Sequence, residues 1–175
     1  MSLLDDRERR EIQAQLTSLP GPVRLVNFTQ ELASQYCHET ERLLQELKAL
    51  SDTISLEVYN FQLDRAKVTQ YRVDKIPATI VKGSKDFGIR FYGIPLGYEF
   101  AAFLAAIRDV SRGATDLKPD TRAAIAAISQ PVHLQVLRYR VRAVPRTIVN
   151  DVGSIEGALP ETDFVEAIIA AARQS

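Results

Sequence analysis

The side chain in this sequence that is best suited to chemistry is the thiol of its single cysteine, Cys37. A thiolate can attack disulfides, but one cysteine can neither form an intrachain disulfide nor run a dithiol cycle within the chain. Any redox chemistry of the chain as written is therefore expected to be intermolecular. Cys37 follows Ser34, a helix-capping residue type, by three positions, which predicts the third position of a helix. Apolar residues at helical spacing behind it predict that the thiol is turned inward and slow to react.

The histidines and glycines indicate no metal or nucleotide site. His38 and His133 have no cysteine or carboxylate at ligand spacing, so no metal ion is expected. Gly83, Gly93 and Gly97 lack the G-x-G-x-x-G pattern that binds dinucleotides, and we interpret them as turn residues. The sequence therefore predicts no metal and no cofactor.

Composition and charge exclude several classes of partner. The 175 residues are 46% apolar and 25% charged, which is ordinary for a globular protein. Lysine plus arginine and aspartate plus glutamate both total 22, so no net basic field attracts nucleic acid or an anionic membrane. No apolar run approaches the ~20 residues of a spanning helix, and the N-terminus does not resemble a secretory signal. A cytoplasmic protein without nucleic-acid or membrane partners is predicted.

Hydrophobic periodicity predicts an α/β fold that begins with a helix. Apolar residues spaced by three and four among charged ones are typical of amphipathic helices, and short β-branched runs are typical of buried strands. The predicted elements are a helix within 4–19, strands at 23–28 and 54–61, and helices at 34–50 and 64–71. This βαβα order favours a parallel strand pair with helices covering the sheet.

The stretch from Tyr71 to Phe100, YRVDKIPATIVKGSKDFGIRFYGIPLGYEF, predicts two short strands in a hairpin and then a helix. Part of it returns from Tyr139 as YRVRAVPRTIVNDVGSIEGALPETDF, with Tyr, Arg, Val, Pro, Thr, Ile and Val in the same order. Such self-similarity indicates a repeated structural unit. We expect a first unit with its leading helix at residues 1–113 and a second unit at 114–175.

The second unit is shorter than the first. Pro131 matches Pro22 at an offset of 109 residues, whereas Pro145 matches Pro77 at an offset of only 68. The difference of 41 residues falls between Leu137 and Arg138. It corresponds to the whole helix-strand-helix segment that bears the cysteine in the first unit.

Two explanations of this shortfall stay open from the sequence. A true deletion would uncover an apolar sheet face, which should then lean on a partner or on the first unit. Alternatively, the biological protein contains the segment and this sequence omits it. A distance of about 3.8 Å between the Cα atoms of Leu137 and Arg138 would indicate a continuous chain.

These features carry a family resemblance. A βαβαββα unit with an X-Pro bond before its third strand resembles thioredoxin and glutaredoxin, and two in tandem resemble the glutaredoxin-like protein disulfide oxidoreductases. The segment KDFGIRFYGIPLGYEFAAFL is also similar to the N-terminal module of the alkyl hydroperoxide reductase flavoprotein. The resemblance implies an α/β fold of two tandem thioredoxin/glutaredoxin-like units, the second lacking its helix-strand-helix segment.

The redox motif of these families is degenerate in this chain. In a C-x-x-C motif at a helix N-terminus, the first thiolate attacks the substrate disulfide and the second resolves the mixed disulfide. Here the window reads Ser34-Gln35-Tyr36-Cys37, so a serine stands in place of the attacking cysteine. Its hydroxyl is hardly ionised near neutral pH and forms no disulfide. Cys37 is therefore either a resolving-type catalytic residue or a small core residue.

The resemblance also implies a substrate-binding role for two X-Pro pairs. Ile76-Pro77 and Val144-Pro145 are expected to hold cis peptide bonds that face the two sites. The backbone of the residue before each proline would pair with an extended peptide substrate. The alternative is a trans proline that merely begins a strand.

Three functions follow from the resemblance. The first is a thiol–disulfide oxidoreductase, a protein disulfide reductase or isomerase, whose first site is degenerate and whose second site is absent from this chain. The second is a redox-inactive thioredoxin-fold module that binds extended peptides. The third is an electron-delivery domain for a peroxidase system. The implied partners are proteins or peptides with disulfides and a flavoprotein resembling thioredoxin reductase.

Overall fold

The computed structural model describes residues 3–30, 35–137 and 145–173. The chain divides into two compact units, Met1–Thr115 and Asp116–Ser175. Ser34, Val144 and the junction after Leu137 lie outside the described residues, so the predictions made for them stay predictions. Across the described ranges, no helix has the length and apolar character needed to cross a membrane.

The first unit is a four-stranded mixed sheet covered by helices. Its elements are α1 (Asp6–Thr17), β1 (Val23–Thr29), α2 (Gln35–Ala49), β2 (Ile54–Asn60), α3 (Arg65–Tyr71), β3 (Ala78–Lys82), β4 (Ile89–Tyr92) and α4 (Tyr98–Arg112). The strand order is β2-β1-β3-β4. β1 and β2 are parallel, and β3 is antiparallel to both β1 and β4, which confirms the predicted parallel pair and hairpin.

The two faces of this sheet bury separate apolar clusters because strand residues alternate between faces. Val23 and Leu25 of β1 pack with residues of α1, α2 and α4. Val26 and Phe28 point to the other face, where they pack with residues of α3. The central strands are therefore apolar on both sides, which is why β1 reads as a nearly continuous hydrophobic run.

The leading helix α1 is fixed at its start and against α2. Asp5 caps the helix by accepting hydrogen bonds from the backbone of Arg7 and Glu8, and the Glu8 carboxylate accepts from the Asp5 backbone. The carboxylate of Glu46 on α2 accepts from the backbone nitrogen of Leu3 at 2.8 Å. These bonds hold the first turn of α1 beside the middle of α2.

An ion pair braces the β3–β4 hairpin. Arg90 donates to both carboxylate oxygens of Asp86, at 2.8 and 2.6 Å, and also to the carbonyl of Tyr71 at 3.3 Å. The hydrogen bond from Arg90 lowers the pKa of Asp86, against the opposing effect of its partial burial. The pair therefore ties the hairpin to the end of α3.

This ion pair predicts an acid-dependent stability. Because the folded pKa of Asp86 is lowered, its contribution is fully present above the unfolded value of about 3.9. The contribution is lost as the pH falls below that value through the lowered folded pKa. Asp86→Asn should therefore lower the urea midpoint near neutral pH and flatten its decline below about pH 4. Parallel acid profiles of Asp86→Asn and the native chain would contradict this, and Asp52→Asn, at an exposed carboxylate, is the control.

The second unit is a three-stranded antiparallel sheet with two helices. Its elements are α5 (Pro119–Ala126), β5 (Leu134–Leu137), β6 (Arg146–Val149), β7 (Gly153–Glu156) and α6 (Glu161–Ala172), and the strand order is β5-β6-β7. Val149 and Ile155 pack against Ile168 and Ala171 of α6. β5 pairs with β6 as β1 pairs with β3, and β6 pairs with β7 as β3 pairs with β4.

β5 is the least covered strand of the second unit. Leu134 and Val136 are paired with Val149 and Thr147, so they share the face that α6 covers over β6 and β7. Val149 and Thr147 are buried, yet Val136 is 67% exposed and Leu134 is 42% exposed. Within the described residues of this unit, no helix covers that end of the sheet. This is the uncovered apolar face expected of a unit that lacks a helix-strand-helix segment.

Candidate active-site end of the first unit

The sheet topology brings the N-terminus of α2 and the loop before β3 to one end of the first unit. α2 follows β1, whose last residue is Thr29, so its first turn lies beyond the carboxyl end of that strand. Phe28 pairs with Ala78, the first residue of β3. Pro77, immediately before Ala78, therefore lies beside the end of β1, at the same end as Cys37.

Cys37 is the third residue of α2 and is fully buried, with 0% of its surface exposed. The side chain of Tyr36, directly before it, is 61% exposed. Thr40, one turn later, is buried and its hydroxyl donates to the carbonyl of Tyr36 at 2.7 Å. The first turn of α2 thus presents a tyrosine to solvent and turns the thiol inward, where no substrate disulfide can reach it without an opening of the fold.

The loop before β3 offers an unpaired backbone. The Ile76–Pro77 peptide bond is cis, and the Pro77 carbonyl accepts a hydrogen bond from Gly93 at 2.9 Å. Among the described residues, none forms a hydrogen bond with the backbone N–H or carbonyl of Ile76. Ile76 is partly exposed. Its backbone can therefore pair with an extended peptide.

A small polar group borders this loop. Lys75 forms an ion pair with Asp74 at 3.0 Å and lies 5.1 Å from the centre of the Tyr92 ring. Its hydrogen bond lowers the pKa of Asp74. Burial, followed by the charge of Asp74 and a hydrogen bond to it, raises the pKa of Tyr92. Tyr92 therefore stays a neutral phenol at physiological pH, and one edge of the loop is lined by an aromatic ring with paired charges.

The corresponding loop of the second unit is only partly described. Pro145 directly precedes β6, and its carbonyl accepts a hydrogen bond from Gly157 at 2.8 Å. This repeats the bond from Gly93 to Pro77 in the first unit. Val144 and the peptide bond that joins it to Pro145 lie outside the described residues, as does Ser34.

The structure thus brings Cys37, Ile76 and Pro77 to one end of the first unit and places Pro145 in the other unit. In the described ranges, no group of three histidine, cysteine or acidic side chains could hold a metal ion. Sequence reasoning missed Tyr36 and Tyr92 as exposed aromatic residues at this end, since their exposure depends on the packing of α2 and on strand pairing.

Comparison with known proteins gives one sequence relative and several structural ones. No family model matches the chain. Residues of the chain are 26% identical over 133 positions to the alkyl hydroperoxide reductase protein AhpF of Xanthomonas campestris pv. phaseoli. The match covers 76% of this chain but only 22% of that protein. The chain therefore spans under a quarter of the length of its curated relative.

Two solved structures have the same overall fold. A protein disulfide oxidoreductase from Aeropyrum pernix superposes with a TM-score of 0.87 at 21% identity, covering 99% of this chain and 96% of that one. The NTD_N/C domain of alkylhydroperoxide reductase AhpF from Enterococcus faecalis superposes with a TM-score of 0.82 at 18% identity, covering 94% and 99%. The predicted resemblance is confirmed: the chain has the thioredoxin-like α/β fold shared by a protein disulfide oxidoreductase and the N-terminal domain of the AhpF flavoprotein.

Proposed function

We propose that the chain is a module of the thiol–disulfide oxidoreductase type, built from two tandem thioredoxin/glutaredoxin-like units. In this proposal the first unit, residues 1–113, keeps a peptide groove beside Ile76 and Pro77 and has a degenerate redox site. The second unit, 114–175, lacks its site between Leu137 and Arg138. The observation that carries the proposal is the position of Cys37 and Pro77 at the same end of the β2-β1-β3-β4 sheet.

The tandem arrangement has support in repeated local geometry. Both units contain three strands with the same antiparallel pairing, and in both a glycine after the third strand donates its N–H to the carbonyl of the proline before the second. The two prolines are Pro77 and Pro145, which the sequence repeat also aligns. A shared fold and a shared loop bond are what a duplicated unit would retain.

The chemistry that the first unit lacks can be stated step by step. A dithiol reduces a substrate disulfide when one thiolate attacks a substrate sulfur and displaces the other as a thiolate. A second thiolate then attacks the first protein sulfur, which releases the reduced substrate and leaves a protein disulfide. Cys37 alone could complete only the first step, and its burial withholds it from that step too. Dithiol turnover therefore has to use thiols other than those of this chain.

A second candidate function is favoured by the buried single thiol itself. A thioredoxin-like module that binds extended polypeptides without redox chemistry needs the unpaired backbone of Ile76 but not Cys37. The match to the flavoprotein AhpF supports the third candidate, electron delivery within a peroxidase system with a flavoprotein partner. That candidate needs a working dithiol outside this chain. The predicted cytoplasmic location stays a prediction.

Peptide binding tests the groove directly. A fluorescently labelled peptide that contains a disulfide should bind the chain, and Cys37→Ala should change its dissociation constant by less than about twofold, because the buried thiol makes no contact with the groove. Ile76→Asp should weaken binding by about tenfold or more, since it places an unpaired charge beside the pairing backbone. Anisotropy titration measures both.

Val152→Asp, at an exposed position of the second unit, is the matched control for the added charge. Circular dichroism of each variant checks that the fold is kept. Loss of binding in Cys37→Ala would refute the degenerate site, whereas the absence of binding in the native chain would refute the groove.

A further inference from the structure

Three buried polar atoms of the first unit have no hydrogen-bond partner. They are the side-chain oxygen and nitrogen of Asn27 and the hydroxyl of Thr79, and none of the described residues bonds to them. Both residues have 0% of their surface exposed. Buried polar groups in proteins are nearly always paired, with protein atoms or with an ordered water, because the unpaired state loses the hydrogen bonds made in solvent.

These atoms belong to one site. Asn27 lies on β1 and Thr79 lies on β3, and the two are directly opposite each other in the antiparallel pair. Residues in that relation project from the same face of the sheet, with Cα atoms about 4.5–5.5 Å apart. Donors and acceptors from two strands therefore converge within a single polar spot.

The spot lies on the face covered by α2. Leu25 and Val81, which alternate with Asn27 and Thr79 along their strands, pack against α2 residues such as Leu44. β1 and α2 run in opposite directions, so moving from Leu25 to Asn27 advances about 7 Å towards the N-terminus of the helix. The first turns of α2, which bury the thiol of Cys37, lie at that level of the sheet.

We propose that Asn27 and Thr79 hold an internal water molecule beneath the first turns of α2. A water molecule can donate to the Asn27 carbonyl oxygen, accept from its amide N–H, and either donate to or accept from the Thr79 hydroxyl. This meets the two to four polar partners that buried waters require. The site is built from two rigid central strands, so the water is a fixed part of the core on which α2 is seated. The inference does not depend on the proposed redox function.

Paired substitutions test the site in the full chain. Asn27→Leu and Thr79→Val should each lower the urea midpoint, because each leaves the other residue and the water with broken hydrogen bonds. Asn27→Leu/Thr79→Val removes all the polar atoms and should lower the midpoint by less than the two single shifts combined. If the atoms are truly unpaired, each single change should instead leave the midpoint unchanged or raise it, which would overturn the proposal.

Thr40→Val supplies the matched control. Thr40 is equally buried on α2, but its hydroxyl is satisfied by the Tyr36 carbonyl. Its effect should add to that of Asn27→Leu without coupling. A crystal structure of the native chain gives a readout that needs no variant to fold: density for a water should lie about 2.7–3.2 Å from both side chains. Its absence at high resolution would by itself refute the site.

Discussion

Replacing Ser34 by cysteine is expected to turn this chain into a catalyst of disulfide reduction. Ser34→Cys restores a C-x-x-C spacing with Cys37, and residues three apart on a helix lie about 5–6 Å apart, a distance that a disulfide spans. The new thiol would occupy the exposed start of α2, where backbone N–H groups and the helix dipole favour a thiolate. Insulin reduction by Ser34→Cys should exceed that of the native chain by about tenfold or more.

The same experiment separates the oxidoreductase proposal from a binding module. Ser34→Cys/Cys37→Ala has the attacking thiol but cannot resolve the mixed disulfide, so its turnover should fall back towards that of the native chain. Mass spectrometry of the oxidised Ser34→Cys protein should find the 34–37 disulfide. If that disulfide forms and insulin is still not reduced, the frame of this site does not support the chemistry and the binding module is the better account.

The thiol of Cys37 is expected to react at least about a hundredfold more slowly with an aromatic disulfide reagent in the native protein than in 8 M urea. The side chain has no exposed surface, so a reagent can reach it only when α2 opens locally or the unit unfolds. Each 1.4 kcal/mol of opening free energy slows the reaction tenfold, and about 3 kcal/mol accounts for the expected factor. Absorbance of the released aromatic thiol measures both rates.

A cysteine on the opposite face of the same helix is the control for this measurement. Gln45 is exposed on α2, and Cys37→Ala/Gln45→Cys should react at nearly the same rate in buffer and in urea. Fast labelling of native Cys37, at the rate of this control, would contradict its burial and would reopen a redox role for the first unit as it stands.

Much of this fold could be predicted because its signals are local. The helical stripe around Leu43 and Leu47 and the β-branched run Val23–Phe28 depend only on residue spacing, and both elements are present. The order of strands and helices then limits the topology to a parallel first pair. The burial of Cys37 follows from the same stripe, so helical spacing alone is enough to predict the inward position of the thiol.

The site could be predicted only in part because its partners meet across strands. The free backbone of Ile76 depends on where β3 begins to pair, and the contact of Lys75 with Tyr92 joins residues 17 positions apart through a hairpin. Asn27 did leave a signal, as a polar residue within an apolar strand. Its convergence with Thr79, however, depends on the register of β1 against β3, which residue spacing alone does not determine.

The exposed strand β5 also affects how the protein behaves at high concentration. Its sequence, Leu-Gln-Val-Leu, has no charged residue, and no described strand pairs with its outer edge. An uncharged free edge with exposed Leu134 and Val136 is a template for pairing with another chain. The outer strand of the first unit, β2, carries Glu57 and so opposes such pairing by charge. Solubility of this protein is therefore expected to be limited by four residues of its second unit and not by the larger first one.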